Sequence, residues 1–312
     1  MSLALVFPGQ GAQDAGMGIG LLDPGSPGHE LARRGSELIG LDLVRLACDA
    51  EADEIRATEV AQPLLLLHSV ALLEQLPEAT RAEVAAVAGH SLGEYTALVA
   101  AGSLDFDHAI LLVRERGLAM AEAATAADGR SQGKRQGMSA VLGADEAQVQ
   151  AALASTTDGV AVVANINAPG QVVISGHLAA LEAAGERLKA AGARRVMPLA
   201  VGGAFHSPLM ADAAARLGRA IDAAPIGPGR PQAFNVDGGI RTEPQEIADA
   251  LRAQLTSPVR WIGCVETLVG TGVDRLLELG PGGTLTAMGK RINPEVAWSA
   301  VSSPADLAAV GG

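Results

Sequence analysis

The sequence predicts an α/β fold made of a parallel sheet and a smaller inserted unit, and three observations indicate it. Apolar runs typical of strands alternate with helical patterns early in the chain, as in a parallel sheet covered by helices. A glycine-flanked pentapeptide at residues 89–93 lies between such a strand and such a helix. After a polar stretch at residues 125–137, the predicted order changes to strand, helix, strand, strand, helix, strand.

The first part of the chain supplies the elements of the parallel sheet. A strand is predicted at residues 3–7 and ends at Pro8-Gly9, and the segment up to residue 28 is rich in Gly and Pro, which indicates a loop. A second strand at residues 84–88 leads into the pentapeptide. Helical patterns cover residues 29–39, 53–60, 63–75, 94–101 and 107–123.

The middle of the chain predicts the inserted unit. Residues 125–137 are polar and basic, and we expect a loop and a domain boundary there. Strands are then predicted at residues 139–142, 160–165, 171–174 and 194–199, with helices at 145–155 and 178–191. This β-α-β-β-α-β order is that of a ferredoxin-like unit. We therefore expect residues 1–124 and 200–312, which include a strand at 275–279, to form the large domain and residues 125–199 the small one.

The composition is that of a globular enzyme and excludes several classes of function. Hydrophobic residues make up 48% of the 312 residues and charged residues 19%. A net charge of −12 argues against nucleic acid as a partner. Cys48 and Cys264 form neither a disulfide framework nor a metal-ligand cluster, so we expect no metal. The N-terminal residues lack the basic region of a signal peptide, and the apolar runs are too short for a membrane span, so we expect a cytoplasmic protein.

The pentapeptide Gly89-His90-Ser91-Leu92-Gly93 predicts a serine nucleophile. The G-x-S-x-G pattern between a strand and a helix forms a sharp turn that exposes the serine hydroxyl above the sheet edge. The N–H of Leu92 would then lie at a helix N-terminus, where it can stabilise an oxyanion. The alternative is that Ser91 only caps the helix.

His206 is the predicted general base, because it lies in a loop just after a predicted strand, where α/β sheets place their sites. The other histidines have simpler interpretations. His90 is adjacent to the serine and His68 belongs to an apolar helical run, while His29, His108 and His177 are expected in exposed positions. No acid of a Ser–His–Asp triad stands out between Ser91 and His206, and a backbone carbonyl could orient the imidazole instead.

Two further residues are candidates for the substrate site. Arg116 shares a predicted helix face with apolar residues, and a partly buried guanidinium suits a carboxylate, although a structural ion pair would explain it equally well. Gln10 follows the first strand in Gly9-Gln10-Gly11, and Asp14 stands where a dinucleotide fingerprint would have its third glycine. The backbone N–H of Gln10 is therefore the predicted second oxyanion donor.

Six segments together resemble the malonyl-CoA:acyl carrier protein transacylases. They follow the order of that family over nearly the whole chain: FPGQGAQ at 7–13, GHSLGEY at 89–95, RG at 116–117, NINAPGQVVISG at 165–176, GAFHS at 203–207 and SPVRW at 257–261. The resemblance implies an α/β-hydrolase-like domain with a ferredoxin-like insert. It also implies transfer of a malonyl group from malonyl-CoA to the phosphopantetheine of an acyl carrier protein, with no cofactor.

The resemblance implies roles for individual residues. Ser91 would carry the acyl group, His206 would act as base, Gln10 and Leu92 would bind the oxyanion, and Arg116 would bind the malonyl carboxylate. Gln254 matches the residue whose backbone carbonyl orients the histidine. Positions that match the family's CoA channel are Asn165, Gln171, Arg194 and Arg195. Phe205 would crowd the C2 position and favour malonyl over methylmalonyl groups.

Other functions stay open at the level of sequence. A serine esterase or thioesterase could use the same turn, but Arg116 would be costly in a site for neutral esters. A non-catalytic carrier-docking subunit would need none of the three residues Ser91, His206 and Arg116 together. The same chemistry could serve polyketide loading or malonate decarboxylation. We expect a monomer, and a basic patch for an acidic carrier from some of Lys134, Arg135, Arg194 and Arg195. The alternative is that these are solvated surface charges, which is the preferred interpretation for Lys134 and Arg135.

Overall fold

Two sheets organise the chain. The computed structural model describes residues 2–130, 135–157 and 159–310. Within them, six strands form one sheet in the order β10-β9-β1-β2-β7-β8 and four form another in the order β4-β5-β3-β6. The strands are β1 (Leu3–Phe7), β2 (Val84–Gly89), β3 (Gln136–Leu142), β4 (Ala161–Ala168), β5 (Gln171–His177), β6 (Arg195–Pro198), β7 (Gln232–Ala233), β8 (Ile240–Arg241), β9 (Arg275–Leu279) and β10 (Ala297–Val301).

Helices cover both faces of the larger sheet, which confirms the predicted α/β class. They are α1 (Pro27–Ile39), α2 (Leu43–Cys48), α3 (Thr58–Gln75), α4 (Glu78–Ala82), α5 (Gly93–Ala101), α6 (Phe106–Arg130), α7 (Glu146–Ala154), α8 (Leu178–Ala190), α9 (Ala211–Ala223), α10 (Pro244–Gln254), α11 (Trp261–Gly270), α12 (Thr284–Ile292) and α13 (Pro304–Val310), with 3₁₀ turns at Glu54–Arg56 and Pro208–Met210. None of the helices in the described ranges is long and apolar enough to cross a membrane.

The central strands β1 and β2 set the position of the site. All five residues of β1 are buried, as expected for a strand between two parallel neighbours and two helical layers. Strand β1 pairs in parallel with β2, and Phe7 lies opposite Gly89 at their carboxyl ends. The loops that carry Gln10 and Ser91 therefore leave the sheet side by side at the same edge.

Helix α3 differs from its prediction in one respect. The sequence predicted two helical segments separated before Pro63, whereas the structure has a 3₁₀ turn and then one helix that runs from Thr58 through Pro63 to Gln75. Proline cannot donate the hydrogen bond that the carbonyl of Glu59 would otherwise accept. Arg114 of α6 donates to that carbonyl instead, at 2.8 Å, so the proline is tolerated inside a buried helix.

The four-stranded sheet is the predicted ferredoxin-like unit. Its neighbouring strands are all antiparallel, and numbered from its own first strand the order reads 2-3-1-4. Apolar side chains of α7 and α8, among them Val149 and Leu188, pack on this sheet in a separate core. Strand β4 also bonds to the segment after α10, because the N–H of Ile166 donates to the carbonyl of Val259 at 2.9 Å.

The predicted loop at residues 125–137 is wrong at both ends. Helix α6 continues to Arg130 and β3 begins at Gln136. The run from Ala119 to Ala127 is rich in alanine, whose helix propensity carries the helix onward despite the polar residues that follow. Lys134 lies outside the described residues. The division of the chain at residues 124 and 125, which falls within α6, stays a prediction.

Candidate active site

Ser91 stands on a strained turn between β2 and α5. Its φ is 52°, in the left-handed region that side-chain-bearing residues rarely adopt. A Cβ at Gly89 would overlap the carbonyl of Gly93, and a Cβ at Gly93 would overlap the carbonyl of Phe7. The two glycines therefore let strand and helix approach closely enough for the turn, as the pentapeptide predicted.

His206 contacts the serine directly. Its Nε2 lies 2.7 Å from Ser91 Oγ, and its side chain is 4% exposed. Its Nδ1 lies 3.1 Å from the carbonyl oxygen of Gln254 and 3.2 Å from that of Ser257. Since these carbonyls only accept, Nδ1 carries the proton, and Nε2 is left to accept the hydroxyl proton of Ser91. Two backbone carbonyls thus occupy the place of a triad acid.

The environment of His206 keeps the imidazole neutral. Burial, followed by the positive charge of Arg116, lowers the pKa of His206 to about 3. A histidine with so low a pKa is unprotonated at neutral pH and is available as a base. Its φ is 56°, so like Ser91 it occupies a strained backbone position.

Arg116 lies beneath the serine, fully inside the protein. Its guanidinium donates to Ser91 Oγ at 2.9 Å, to Gln62 Oε1 at 2.8 Å and to Gln254 Oε1 at 3.0 Å. It also lies over the ring of Tyr95, at 5.7 Å from the centroid. All of these partners in the described part of the chain are uncharged, and burial lowers the pKa of Arg116. A buried cation without a paired anion suits a substrate carboxylate.

The two predicted oxyanion donors keep their N–H groups unused. Within the described residues, neither the amide of Gln10 nor that of Leu92 donates to a protein acceptor. Leu92 is the first residue before α5, and Gln10 is held by its own side chain, whose Nε2 donates to Thr58 Oγ1 at 3.1 Å. These amides are therefore free to bind a developing negative charge.

A cavity between the two sheets leads to Ser91. The four-stranded sheet and α12 form one wall, and the loops after β1 and β2 form the other. The lining residues are Pro8, Gly9, Gln10, Gly11, Ala12, His90, Ser91, Arg116, Met120, Met138, Asn165, Asn167, Val173, Leu199, Val201, Phe205, His206, Thr284, Leu285 and Met288. Most are apolar, as is usual for a small-molecule site with a few polar groups.

The residues predicted for CoA binding divide into two groups. Asn165 lines the cavity and is 6% exposed. Gln171 does not line it, and its Oε1 accepts from Arg291 at 2.6 Å. Arg194 and Arg195 are exposed and lie outside the lining, as does Arg135. Their role in binding CoA or a carrier stays a prediction.

None of the other histidines in the described ranges has a hydrogen bond from its ring to Ser91, and one of them corrects a prediction. His90 points to Asn167, whose Oδ1 lies 2.9 Å from its Nε2, and His68 is buried beside the carbonyl of Ser302. His177 was expected to be exposed, but it is 8% exposed, and its Nδ1 accepts from the N–H of Val160 at 2.9 Å. The end of β5 is covered by the loop before β4, which a linear pattern does not reveal.

Three buried polar residues around the site were not predicted from the sequence. Gln62 and Asn235 are 0% exposed, and so is Glu94. A signal existed for two of them, because Gln62 interrupts an apolar helical run and Glu94 follows directly after the pentapeptide. A polar residue on an otherwise apolar helix face is buried only at a cost, so it needs partners.

This fold and site are typical of α/β enzymes that carry an acyl group on a serine. The family model described as "Acyl transferase domain" matches residues 4–304. The malonyl CoA-acyl carrier protein transacylase of Salmonella typhimurium is 41% identical over 310 residues, which cover 98% of this chain and 97% of that protein. The Bacillus subtilis transacylase is 41% identical over 305 residues, which cover 97% and 94%.

Solved structures of similar proteins agree with the sequence comparisons. The acyl carrier protein S-malonyltransferase of Vibrio cholerae has a TM-score of 0.91 and 39% identity, covering 99% of this chain and 100% of that one. A malonyl-transacylase solved in complex with a type II PKS acyl-carrier protein has a TM-score of 0.91 and 38% identity, covering 99% and 98%. The chain belongs to the malonyl CoA-acyl carrier protein transacylase family.

Proposed function

We propose that this protein transfers a malonyl group from malonyl-CoA, through an ester on Ser91, to the phosphopantetheine thiol of an acyl carrier protein. One observation carries the proposal: Ser91 Oγ lies 2.7 Å from a neutral histidine and 2.9 Å from a buried arginine whose partners among the described residues are all uncharged. The first contact suits nucleophilic attack and the second suits an acyl group that ends in a carboxylate.

The first half-reaction loads the enzyme. Ser91 Oγ attacks the thioester carbonyl carbon while His206 Nε2 takes the hydroxyl proton. The amides of Gln10 and Leu92 stabilise the oxyanion of the tetrahedral intermediate. The intermediate then collapses, the carbon–sulfur bond breaks, and the leaving CoA sulfur takes the proton from His206. The product is the malonyl ester of Ser91 and free CoA.

The second half-reaction reverses these roles with a different thiol. His206 takes the proton of the carrier's phosphopantetheine thiol, and the sulfur of that thiol attacks the carbonyl carbon of the malonyl ester on Ser91. The carbon–oxygen bond breaks and the proton returns to Ser91 Oγ. Both steps exchange an acyl group between an oxygen and a sulfur, so the proposal requires no cofactor. The carrier as acceptor is supported by the carrier-bound relative described above.

Arg116 separates this proposal from an esterase or thioesterase. In the structure its guanidinium donates to Ser91 Oγ, so it lies within reach of the carboxylate of a malonyl group esterified to that oxygen. A hydrolase of neutral esters would bear the desolvation cost of this cation without a compensating anion. A non-catalytic docking subunit would need neither Arg116 nor the Ser91–His206 contact.

The proposal includes four expectations from sequence. We infer a cytoplasmic protein that acts as a monomer, without nucleic acid or membrane as partner. An acidic carrier protein could still dock on this acidic chain, whose net charge is −12. The basic patch predicted at Arg135, Arg194 and Arg195 would attract it locally. Fatty acid synthesis and polyketide loading use the same transfer, and the identity of the carrier separates them.

The test is intact-protein mass spectrometry after brief incubation with malonyl-CoA. We expect a malonyl adduct on the wild type, none on Ser91→Ala, and a strong decrease on Arg116→Ala. Arg216→Ala is the matched control, since this arginine pairs with Glu115 and Glu122 away from the cavity and should leave the adduct unchanged. Adding an acyl carrier protein should discharge the adduct. Release of free CoA without an adduct would indicate a hydrolase and contradict the proposal.

A further inference from the structure

Glu94 is a buried carboxyl group that no step of the proposed reaction uses. It lies in the first turn of α5, three residues after Ser91, and is 0% exposed. In the described part of the chain, no arginine, lysine or histidine contacts its oxygens directly. Burying a carboxylate without a positively charged partner is costly, so the burial of Glu94 requires a physical explanation.

The two oxygens of Glu94 join two distant segments. Its Oε1 accepts from the backbone N–H of Asn235, which follows β7, and its Oε2 accepts from Nε2 of Gln254, at the end of α10. When Glu94 is ionised, both are hydrogen bonds to a charged acceptor, which are the stronger kind. The carboxylate therefore fixes Asn235 and Gln254 with respect to α5.

Asn235 and Gln254 in turn hold the strained turn at Ser91 from both sides. The N–H of Ser91 donates to Asn235 Oδ1 at 2.7 Å, and Gln254 Nε2 donates to the carbonyl of Ser91 at 2.8 Å. Asn235 Nδ2 also donates to the carbonyl of Gly89 at 2.8 Å. A residue with positive φ persists only when its surroundings hold it firmly, and these three bonds do so.

Glu94 and the carbonyl of Ser91 together determine which way the amide of Gln254 faces. The carboxylate can only accept, so the NH₂ end of Gln254 turns toward it. The amide oxygen is then left to accept from Arg116 Nη2, at 3.0 Å. With the amide reversed, its NH₂ group would face the guanidinium, donor against donor. The orientation of Arg116 beside Ser91 thus depends on a carboxylate that it does not touch.

We propose that Glu94 is a positioning residue for acyl loading: its carboxylate, through Asn235 and Gln254, holds Ser91 and Arg116 in the geometry that reacts. The inference rests on the proposed function. It adds to that function a residue that contacts neither the substrate nor the reacting atoms.

Ionisation of Glu94 supplies a signature of this role. Burial raises the pKa of Glu94 to about 8, against the opposing effects of the bonds from Asn235 and Gln254 and the charges of Arg116 and Arg241. Tyr95 and Cys264 also face this charge, and burial raises the pKa of each above the neutral range. His206, with a pKa of about 3, is neutral throughout. Protonation of Glu94 as the pH falls should therefore weaken the two bonds and slow loading.

The experiment compares loading rates of the wild type and Glu94→Gln at saturating malonyl-CoA, from about pH 6 to about pH 9. The variant keeps the shape of Glu94, but its own NH₂ must face one of two donors, the N–H of Asn235 or the NH₂ of Gln254. We expect loading at the upper pH to fall about a hundredfold. The decrease toward low pH that we expect for the wild type should be absent from the variant.

Glu278→Gln is the matched control. Glu278 is likewise 0% exposed and accepts two backbone hydrogen bonds, from Leu285 at 3.1 Å and Thr286 at 2.7 Å. None of its hydrogen bonds within the described residues involves Ser91, Asn235 or Gln254. It should lose a comparable amount of stability in urea unfolding and keep the loading rate within about twofold. It should also keep the wild-type pH profile.

Three results would overturn the inference. One is loading by Glu94→Gln within about threefold of the wild type. Another is an equal decrease in Glu278→Gln, which would mean that any buried carboxylate has this effect through stability. The third is loading by Asn235→Ala within about threefold of the wild type, which decides the matter even if Glu94→Gln does not fold, because Glu94 acts on Ser91 through Asn235. If the wild type forms no adduct at all, the proposed function fails instead.

Discussion

The reacting end of the cavity and one end of the four-stranded sheet are built differently. Ser91, Arg116, His206 and Gln254, which we call the core cluster, are joined to one another by hydrogen bonds from several elements. Gln171, Arg194 and Arg195, which we call the outer group, have few contacts. Gln171 bonds to Arg291, and within the described ranges the Arg195 side chain has one hydrogen-bond contact, to the sulfur of Met197 at 3.7 Å.

The difference shows where precision is needed. Bond-making atoms must be held to within a fraction of an ångström, and burial with several hydrogen bonds achieves that. A surface that attracts a charged partner needs only the correct sign of charge, which solvated side chains supply. Substitutions in the core cluster should therefore have large effects, and those in the outer group small effects that depend on salt.

The largest effect is expected for His206→Ala. Removing the base should slow formation of the acyl-enzyme about a thousandfold, since Ser91 would have to lose its proton to water. Rapid quenching followed by intact mass measures this rate. An alanine at exposed His108 is the control and should load at the wild-type rate. Loading by His206→Ala at close to the wild-type rate would contradict the role of the core cluster.

Asn235→Ala tests whether the core cluster depends on the residues behind it. The change leaves the N–H of Ser91 and the carbonyl of Gly89 without their partners, so the free energy of unfolding should fall by about 2 kcal/mol. Loading should slow about a hundredfold, because the turn at Ser91 loses its support. Urea unfolding and the loading assay measure the two effects. Full activity with reduced stability would limit Asn235 to a structural role.

The loss of folding stability at acid pH tests the low pKa of His206. The pKa of His206 is lowered from 6.5 to about 3 in the folded protein, so below pH 6.5 the unfolded chain takes up a proton that the folded chain does not. Stability is therefore lost as the pH falls through this range, by about 2 kcal/mol at about pH 5 from this group alone. The variant His206→Ala should lack that part of the loss. Urea unfolding at neutral and acid pH measures it, and equal losses in both proteins would contradict the low pKa.

The smallest effect is expected at the outer group. Reversing the charge in Arg194→Glu and Arg195→Glu together should weaken transfer to an acidic carrier about tenfold at low salt and less at high salt. Loading from malonyl-CoA should be unchanged. Transfer to the carrier, measured by carrier mass, separates the two steps. An equal decrease of loading and transfer would contradict a docking role for these arginines.

Much of the fold could be predicted because it depends on local patterns. The strand at residues 3–7 and the β-α-β-β-α-β order each follow from hydrophobic periodicity and turn residues. Two errors had different causes: in one a tertiary contact replaced a local rule, and in the other a local helix propensity was underestimated. Pro63 is accommodated because Arg114 bonds to the carbonyl it leaves free, and α6 extends past residue 124 on its own alanine-rich sequence.

The sequence by itself identified three of the four residues of the core cluster, since a glycine-flanked serine, a histidine after a strand and an arginine on an apolar face are local signals. Only the tertiary structure decided that Glu94, Asn235 and Gln62 belong to the same network. Their partners lie up to 160 residues away along the chain, and a hydrogen bond depends on distance and direction in space. The role of a buried polar group can be inferred only when its hydrogen-bond partners are known, and the folded structure supplies them.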